Sequence, residues 1–360
     1  MLKKKKLVLS KAKLYEKIGQ DQVKCIACAH YCRIVEGRTG VCGVRMNYQG
    51  DLYLMVYGKA SAVNIDPIEK KPLFHFLPGT EIFSFGTVGC NFACDFCQNW
   101  DLSQSAKEVQ KKAKDKDERM LRLGKLVDYG QELPPHEIVK YCLKNKIPSI
   151  AYTYNEPVIF FEYLYDTAKL AHSEGVKNIF VSNGYESEEA MNKIHPYLDA
   201  MNVDLKSFNE EFYNKTCKAH LEPVLKTIKR AHDMGIWIEV TTLVIPGEND
   251  SDEELESIAK FIADVSTSVP WHVTAFTPNY KMDQKPSTSP ESLQKAYKIG
   301  KSAGLKYVYT GNVFDDECQN TYCPSCNHMN IGRDWHSVTK NEIGQGKCSK
   351  CGTDIEGIWQ

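Results

Sequence analysis

Between Glu81 and Thr310, short runs of β-branched and aromatic residues alternate with longer stretches in which apolar residues return every three or four positions. The short runs read as strands and the longer period as one apolar face of a helix. Predicted strands cover residues 81–88, 149–154, 177–182, 200–206, 236–244, 271–277 and 306–310. A helix is predicted over 135–143, where Pro135 stands at a position whose N–H has no partner in any case. Another is predicted over 251–259, where Asp252, Glu253 and Glu254 complement the positive end of the helix dipole. Repeated strand–helix alternation implies parallel strands joined by right-handed crossovers, hence an α/β fold that is either a doubly wound sheet or a barrel.

Two segments depart from this rhythm. Residues 105–131 hold a mixed charge run, Lys111 to Arg119, without strand pattern, which suggests a solvated helix or mobile loop, or else a lid or docking insert. Residues 52–58, Leu-Tyr-Leu-Met-Val-Tyr-Gly, look like a hairpin that joins an N-terminal segment to the alternating region.

The cysteines are also unevenly placed. Of the 14, 11 fall into three tight groups, and Cys142, Cys217 and Cys318 stand apart and read as buried small hydrophobes or idle thiols. Cys90, Cys94 and Cys97 follow the first predicted strand with the spacing C-x3-C-x2-C. A closed zinc site or fully ligated iron–sulfur cluster takes four protein ligands, so three suggest a four-iron cluster with one iron open to substrate. The alternative is a four-ligand site whose last cysteine lies elsewhere. Cys25, Cys28, Cys32 and Cys42 form a compact knuckle that could hold zinc or an auxiliary iron–sulfur cluster. Cys323, Cys326, Cys348 and Cys351 form paired C-x2-C elements of zinc-ribbon type, with a rubredoxin-like iron site as the competing reading.

Composition narrows the class. With 360 residues, 42% hydrophobic and 25% charged, the chain can bury one large core with small appendages. A formal net charge of -1 gives no broad basic surface for nucleic acid. The apolar runs are too short to span a membrane, and the basic N-terminus lacks a secretion segment. The sequence therefore points to a cytoplasmic protein whose many cysteines serve metal or redox chemistry.

In a parallel barrel, functional groups gather at the C-terminal ends of the strands. The cysteine triplet, Tyr154-Asn155-Glu156-Pro157, Ser182-Asn183-Gly184, Asp204-Leu205-Lys206, Pro246-Gly247 and Thr277-Pro278-Asn279-Tyr280 all stand at such ends. Singly, each has an ordinary explanation as a turn or an ion pair; together, at successive strand ends, they indicate a site.

Gly89-Cys90-x3-Cys94-x-Phe96-Cys97 resembles the cluster motif of radical S-adenosylmethionine (SAM) enzymes, and the later groups are similar to those of glycyl-radical-enzyme activating enzymes such as the pyruvate formate-lyase activase. The chain resembles still more closely the radical SAM proteins of the AmmeMemoRadiSam system, on the early cysteines, the Asp66–Leu73 run, Tyr152–Pro157, Tyr309–Asn312 and the C-terminal cysteine pairs. This resemblance implies a radical SAM partial barrel over residues 76–314, with 105–131 as a charged insertion. A Cys-rich subdomain over 1–75 and a zinc-ribbon-like element over 315–360 would flank it.

It further implies a [4Fe-4S] cluster on Cys90, Cys94 and Cys97, and SAM held by Asn155, Glu156, Ser182, Asn183, Asp204 and Lys206. Zinc is expected at the C-terminal cysteines. Glu156 matches a Gly-Gly-Glu segment of the activases, with Tyr154 and Asn155 in place of the glycines; Tyr280 stands where they carry histidine. The implied reaction is reductive cleavage of SAM to a 5′-deoxyadenosyl radical that abstracts hydrogen from a protein, peptide or small molecule, either as an activase or in unrelated chemistry. An electron donor such as flavodoxin or ferredoxin is expected, and no nucleic acid or membrane partner. The reading from another class, a non-catalytic zinc and nucleic-acid-binding module, fits two cysteine groups but neither the charge balance nor the triplet.

Overall fold

The computed structural model describes residues 9–128, 130–315 and 317–360; the basic run at residues 1–8 lies outside them. Its centre is an eight-stranded sheet in which each strand neighbours the next in sequence: β1 (Ala62–Pro67), β2 (Glu81–Gly86), β3 (Ser149–Tyr152), β4 (Lys177–Ser182), β5 (Ala200–Asp204), β6 (Trp237–Val244), β7 (Trp271–Ala275) and β8 (Val308–Gly311). β1 is antiparallel to β2, and β2 through β8 run parallel. The sheet is a partial barrel whose ends are β1 and β8. All seven strands anticipated from the pattern are present. β1 was not anticipated: Ala62-Val-Asn-Ile-Asp-Pro67 holds two polar residues and a proline, which only an edge strand tolerates.

Helices cover the outer face. α1 (Trp100–Lys112) and α2 (Lys116–Asp128) form the charged insertion, and α3 (Pro135–Asn145) and α4 (Phe161–Ser173) follow. Farther along, α5 (Leu221–Asp233), α6 (Asp252–Val265) and α7 (Pro290–Ser302) pack on the later strands. The start of α6 is fixed by Ser251, whose hydroxyl accepts the Glu254 N–H. The insertion is helical and docked: Arg119 donates to the Gly37 carbonyl at 2.9 Å. An added Cβ at Gly43 would lie 2.9 Å from that of Ala106, so α1 and the N-terminal segment pack closely.

The N-terminal segment builds two small antiparallel sheets. Its hairpin lies earlier than residues 52–58, pairing Arg45–Tyr48 with Asp51–Leu54. The two turn residues, Gln49 and Gly50, both have positive φ, 55° and 74°, the geometry that matches strand twist in a two-residue hairpin. Arg45 anchors this hairpin to α4 through a buried two-pronged pair with Glu162, at 2.8 and 3.0 Å.

The C-terminal segment folds as a three-stranded sheet, Thr321–Tyr322, Met329–Asp334 and Ser337–Asn341. Arg333 donates to Phe74 O at 2.8 Å and to Thr321 Oγ1 at 2.9 Å. Thr321 meets Tyr309 Oη at 2.9 Å, Tyr309 meets His75 Nε2 at 2.6 Å, and His75 Nδ1 meets Glu356 O at 2.6 Å. This chain of buried hydrogen bonds welds the C-terminal segment to the barrel.

Candidate functional site

The loop after β2 carries the cysteine triplet, and its shape depends on Gly89, whose φ is +93°. A Cβ there would approach the Cys42 carbonyl to 2.6 Å, so no side chain fits. Asn155, from the loop after β3, holds this turn. Its Nδ2 donates to Thr87 Oγ1 at 3.1 Å and to Gly89 O at 2.9 Å, and its Oδ1 accepts the Thr87 N–H at 3.3 Å. The Asn155 side chain is therefore spent on the cysteine-bearing loop, which makes it a positioning residue.

Burial pushes the thiols of Cys90 and Cys97 up; the Cys94 thiol is raised first by a hydrogen bond to Cys217 and then by burial. Lys107 and Lys206 oppose these shifts. Buried thiols flanked by cations suit metal coordination, because a bound metal replaces the proton. Cys217, which sequence reading set aside, lies in a single π-helical turn, Tyr213–Cys217, and its carbonyl accepts the Ala93 N–H at 3.0 Å. Its thiol faces Cys94, whereas the neighbours of Cys90 are Cys94 and Cys97. No local sequence signal could reveal a contact across so many residues.

Tyr154 occupies a left-handed backbone conformation, φ +70°, that glycine adopts without penalty. Its ring turns away from the cysteines: the hydroxyl donates to Asp66 Oδ2 at 3.1 Å, and Lys71 Nζ lies 4.9 Å from its centroid. The backbone path is thus one that glycine adopts freely, and the side chain points to the Asp66–Lys71 pair, itself 2.7 Å long.

Glu156 is buried and accepts the Asn183 N–H at 2.8 Å, the Val158 N–H at 3.3 Å and the Ser182 hydroxyl at 3.0 Å. Ser182 Oγ is also 2.5 Å from Glu186 Oε1. A hydroxyl carries one proton, so it serves both carboxyl groups only if one of them is protonated. Burial, then the neighbouring Glu186, raises Glu156 well above the carboxylate range, and burial raises Glu186. Glu186 Oε2, Asn183 Oδ1 and Asn91 Nδ2 are buried without partners. The unmet Asn183 acceptor beside a buried carboxyl pair suits a ligand that brings an N–H donor.

At the end of β5, Lys206 Nζ pairs with Asp204 Oδ2 at 2.8 Å and lies 5.7 Å from the Phe96 ring centroid. Burial alone would lower this amine, but Asp204 and the nearby Cys94 and Cys217 outweigh it and keep Lys206 cationic. Tyr280 stacks on Trp100 with ring centroids 5.2 Å apart.

One cavity of about 470 Å³ collects these groups. Cys90, Cys94, Cys97, Asn155, Glu156, Ser182, Asn183, Asp204 and Lys206 all line it, at the C-terminal ends of β2 to β5. Sequence reading missed the other contributors, among them His272, Thr274, Gln319, Trp335 and His336. The first two are barrel-interior residues of an unremarkable strand, and the rest come from the C-terminal segment.

The sequence profile of the radical SAM superfamily matches residues 85–262. An uncharacterised protein of Methanocaldococcus jannaschii is 40% identical over 351 residues, covering 97% of this chain and 99% of the relative. The chain belongs to the radical SAM superfamily. The pyruvate formate-lyase 1-activating enzyme of Escherichia coli (strain K12) is 19% identical over 64% of this chain and 93% of its own length. A radical SAM methyltransferase from Sphaerobacter thermophilus aligns over 85% of this chain and 78% of its own, with 14% identity and a TM-score of 0.47. Membership implies an iron–sulfur cluster and SAM, and the donor set fits both: three largely buried thiols, the Lys206 cation, and the polar groups of Glu156, Ser182, Asn183 and Asp204 in a cavity of ligand size. No helix among the described residues is long and apolar enough to cross a membrane.

The C-terminal cysteines Cys323, Cys326, Cys348 and Cys351 could also hold a metal. Their sulfurs all lie within 4.8 Å of one another, with Cys323–Cys351 at 3.6 Å and Cys326–Cys348 at 3.7 Å. A tetrahedral ion with metal–sulfur bonds of about 2.3 Å has an edge of about 3.8 Å, so this group is sized for one ion.

Proposed function

We propose that the chain cleaves SAM reductively at a [4Fe-4S] cluster held by Cys90, Cys94 and Cys97, and uses the resulting radical to take a hydrogen atom from a substrate in the barrel lumen. The observation that carries this reading is the convergence of the triplet and the polar ends of β3, β4 and β5 on one cavity. When bound, cluster and SAM supply the one-electron cleavage of the sulfonium that generates the 5′-deoxyadenosyl radical.

The chain's own residues position and shield. Glu156, which lines the cavity and shares a proton with Glu186 through Ser182, faces the SAM amino group as a hydrogen-bond acceptor. Asp204 and Lys206 orient a zwitterion by complementary charge. Asn155 fixes the cluster loop, and the aromatic and aliphatic walls keep water from the radical. Zinc at the C-terminal quartet is a structural staple, and a low-potential flavodoxin or ferredoxin supplies electrons in the cytoplasm.

The substrate is a small molecule or a single peptide loop. Gln319, Trp335 and His336 of the C-terminal segment wall part of the cavity, leaving room for little beyond SAM and the reacting part of a substrate. The Escherichia coli relative is by name an activating enzyme, which favours the peptide-loop case. The test is anaerobic reconstitution followed by dithionite and SAM. Formation of 5′-deoxyadenosine that disappears in Cys94→Ala supports the proposal, and equal yield from that variant overturns it.

A further inference from the structure

The N-terminal cysteines lie directly against the radical SAM loop. The Cys42 carbonyl occupies the space where a Gly89 side chain would go. His30, between Cys28 and Cys32, contacts the Asn91 carbonyl through Nε2 at 3.0 Å, and Asn91 lies between Cys90 and Cys94. Lys107 donates to Phe92 O at 2.5 Å, and its ammonium interacts with Cys42 on one side and with Cys90, Cys94 and Cys97 on the other. One wall therefore serves both cysteine groups, with a half-buried cation set between them.

Cys25, Cys28 and Cys42 are buried and Cys32 is partly exposed. Burial raises the thiols of Cys28, Cys32 and Cys42, so a bound metal that replaces the proton suits this pocket better than free thiolates do. Sulfur spacing separates this group from the C-terminal quartet. Among the described residues, only the C-terminal quartet brings three or more sulfurs within 4.8 Å of one another. A cubane places each thiolate on its own iron and so spreads the sulfurs wider than a single ion does.

We propose that Cys25, Cys28, Cys32 and Cys42 hold an auxiliary iron–sulfur cluster that shares its wall, and exchanges electrons, with the SAM-binding cluster. The partly exposed Cys32 makes it the side at which a low-potential donor delivers charge. One electron leaves the reduced auxiliary cluster, which is oxidised by one unit, and reduces the neighbouring cluster by one; the flavodoxin or ferredoxin then refills it. Lys107 offsets the repulsion between two anionic centres. The electron route rests on the proposed radical SAM cluster, but the presence of a second cluster does not.

Metal analysis of the anaerobically reconstituted, unmutated protein separates the cases. The expected content is about eight irons per chain; about four irons with two zincs overturns the proposal. In C90A/C94A/C97A, about half the iron and a dithionite-reducible paramagnetic signal persist if the proposal holds, and zinc alone in the Cys25 group refutes it. In the fully reduced unmutated protein, the two signals broaden each other through spin coupling. Two independent, unbroadened signals would refute the shared-wall electron route while leaving the second cluster in place.

Discussion

Gly86 illustrates how much of the site depends on residues without chemistry of their own. It ends β2, and a Cβ there would collide with the Thr153 carbonyl and with Asn155 Oδ1, 2.9 Å away. Gly86→Ala is expected to destabilise the protein by about 2 kcal/mol or more and to displace the cluster loop, read as a lowered urea midpoint and reduced iron content. Glu156→Gln removes the shared proton arrangement and is expected to weaken SAM binding roughly tenfold, measured by titration calorimetry on the reconstituted protein. Unchanged affinity would place Glu156 outside the SAM contact. Cys217→Ala is expected to retain the cluster and SAM cleavage, because the triplet supplies three ligands without it and its thiol meets Cys94 by a hydrogen bond. Loss of iron in that variant would make Cys217 a fourth ligand. Cys90, Cys94, Cys97, Glu156, Asp204 and Lys206, ordinary one by one, stood out in sequence because they recur at successive strand ends, and the fold brings them to one cavity. Glu186, Gly86 and Cys217 did not, since their importance comes from contacts that only the folded chain creates.

At the scale of elements, the parallel strands announced themselves through continuous apolar runs, as strands buried on both faces must. β1 escaped because an edge strand keeps polar positions, and the docking of the charged insertion was hidden because most of its charges are solvated while Lys107 and Arg119, which tie it down, look no different in sequence. The docking of the C-terminal segment supplies a pH test. Burial lowers His75 to about 4 and keeps it neutral, accepting from Tyr309 while donating to Glu356 O. An unfolded histidine titrates near 6.5, so the unfolded state binds the extra proton between about pH 6.5 and 4. Stability is thus full above pH 6.5 and falls by about 3 kcal/mol as pH drops to 4. A His75→Gln variant should show a shallower fall in urea midpoint over that interval, and an equal slope would remove His75 from the account. The metal of the same segment is expected to act as a staple. Cys326→Ser should lose one tightly held ion per chain and several degrees of melting temperature without any loss of iron from the barrel.

For the whole molecule, the fold places a metal-binding loop at one end of a parallel sheet and lets three neighbouring strands aim polar groups at the space it faces. The N-terminal segment supports that loop from behind, through the Cys42 carbonyl and His30, and the C-terminal segment walls part of the lumen. Both appendages are therefore part of the site's architecture, which the sequence revealed only as cysteine spacing. In the proposed function, a cluster held by Cys90, Cys94 and Cys97 would bind SAM within this cavity. Electron paramagnetic resonance of the dithionite-reduced protein, recorded with and without SAM, tests it most directly. The account predicts that SAM shifts the signal lost in C90A/C94A/C97A and leaves any signal surviving in that variant unmoved. A triplet-dependent signal that SAM does not change would contradict it.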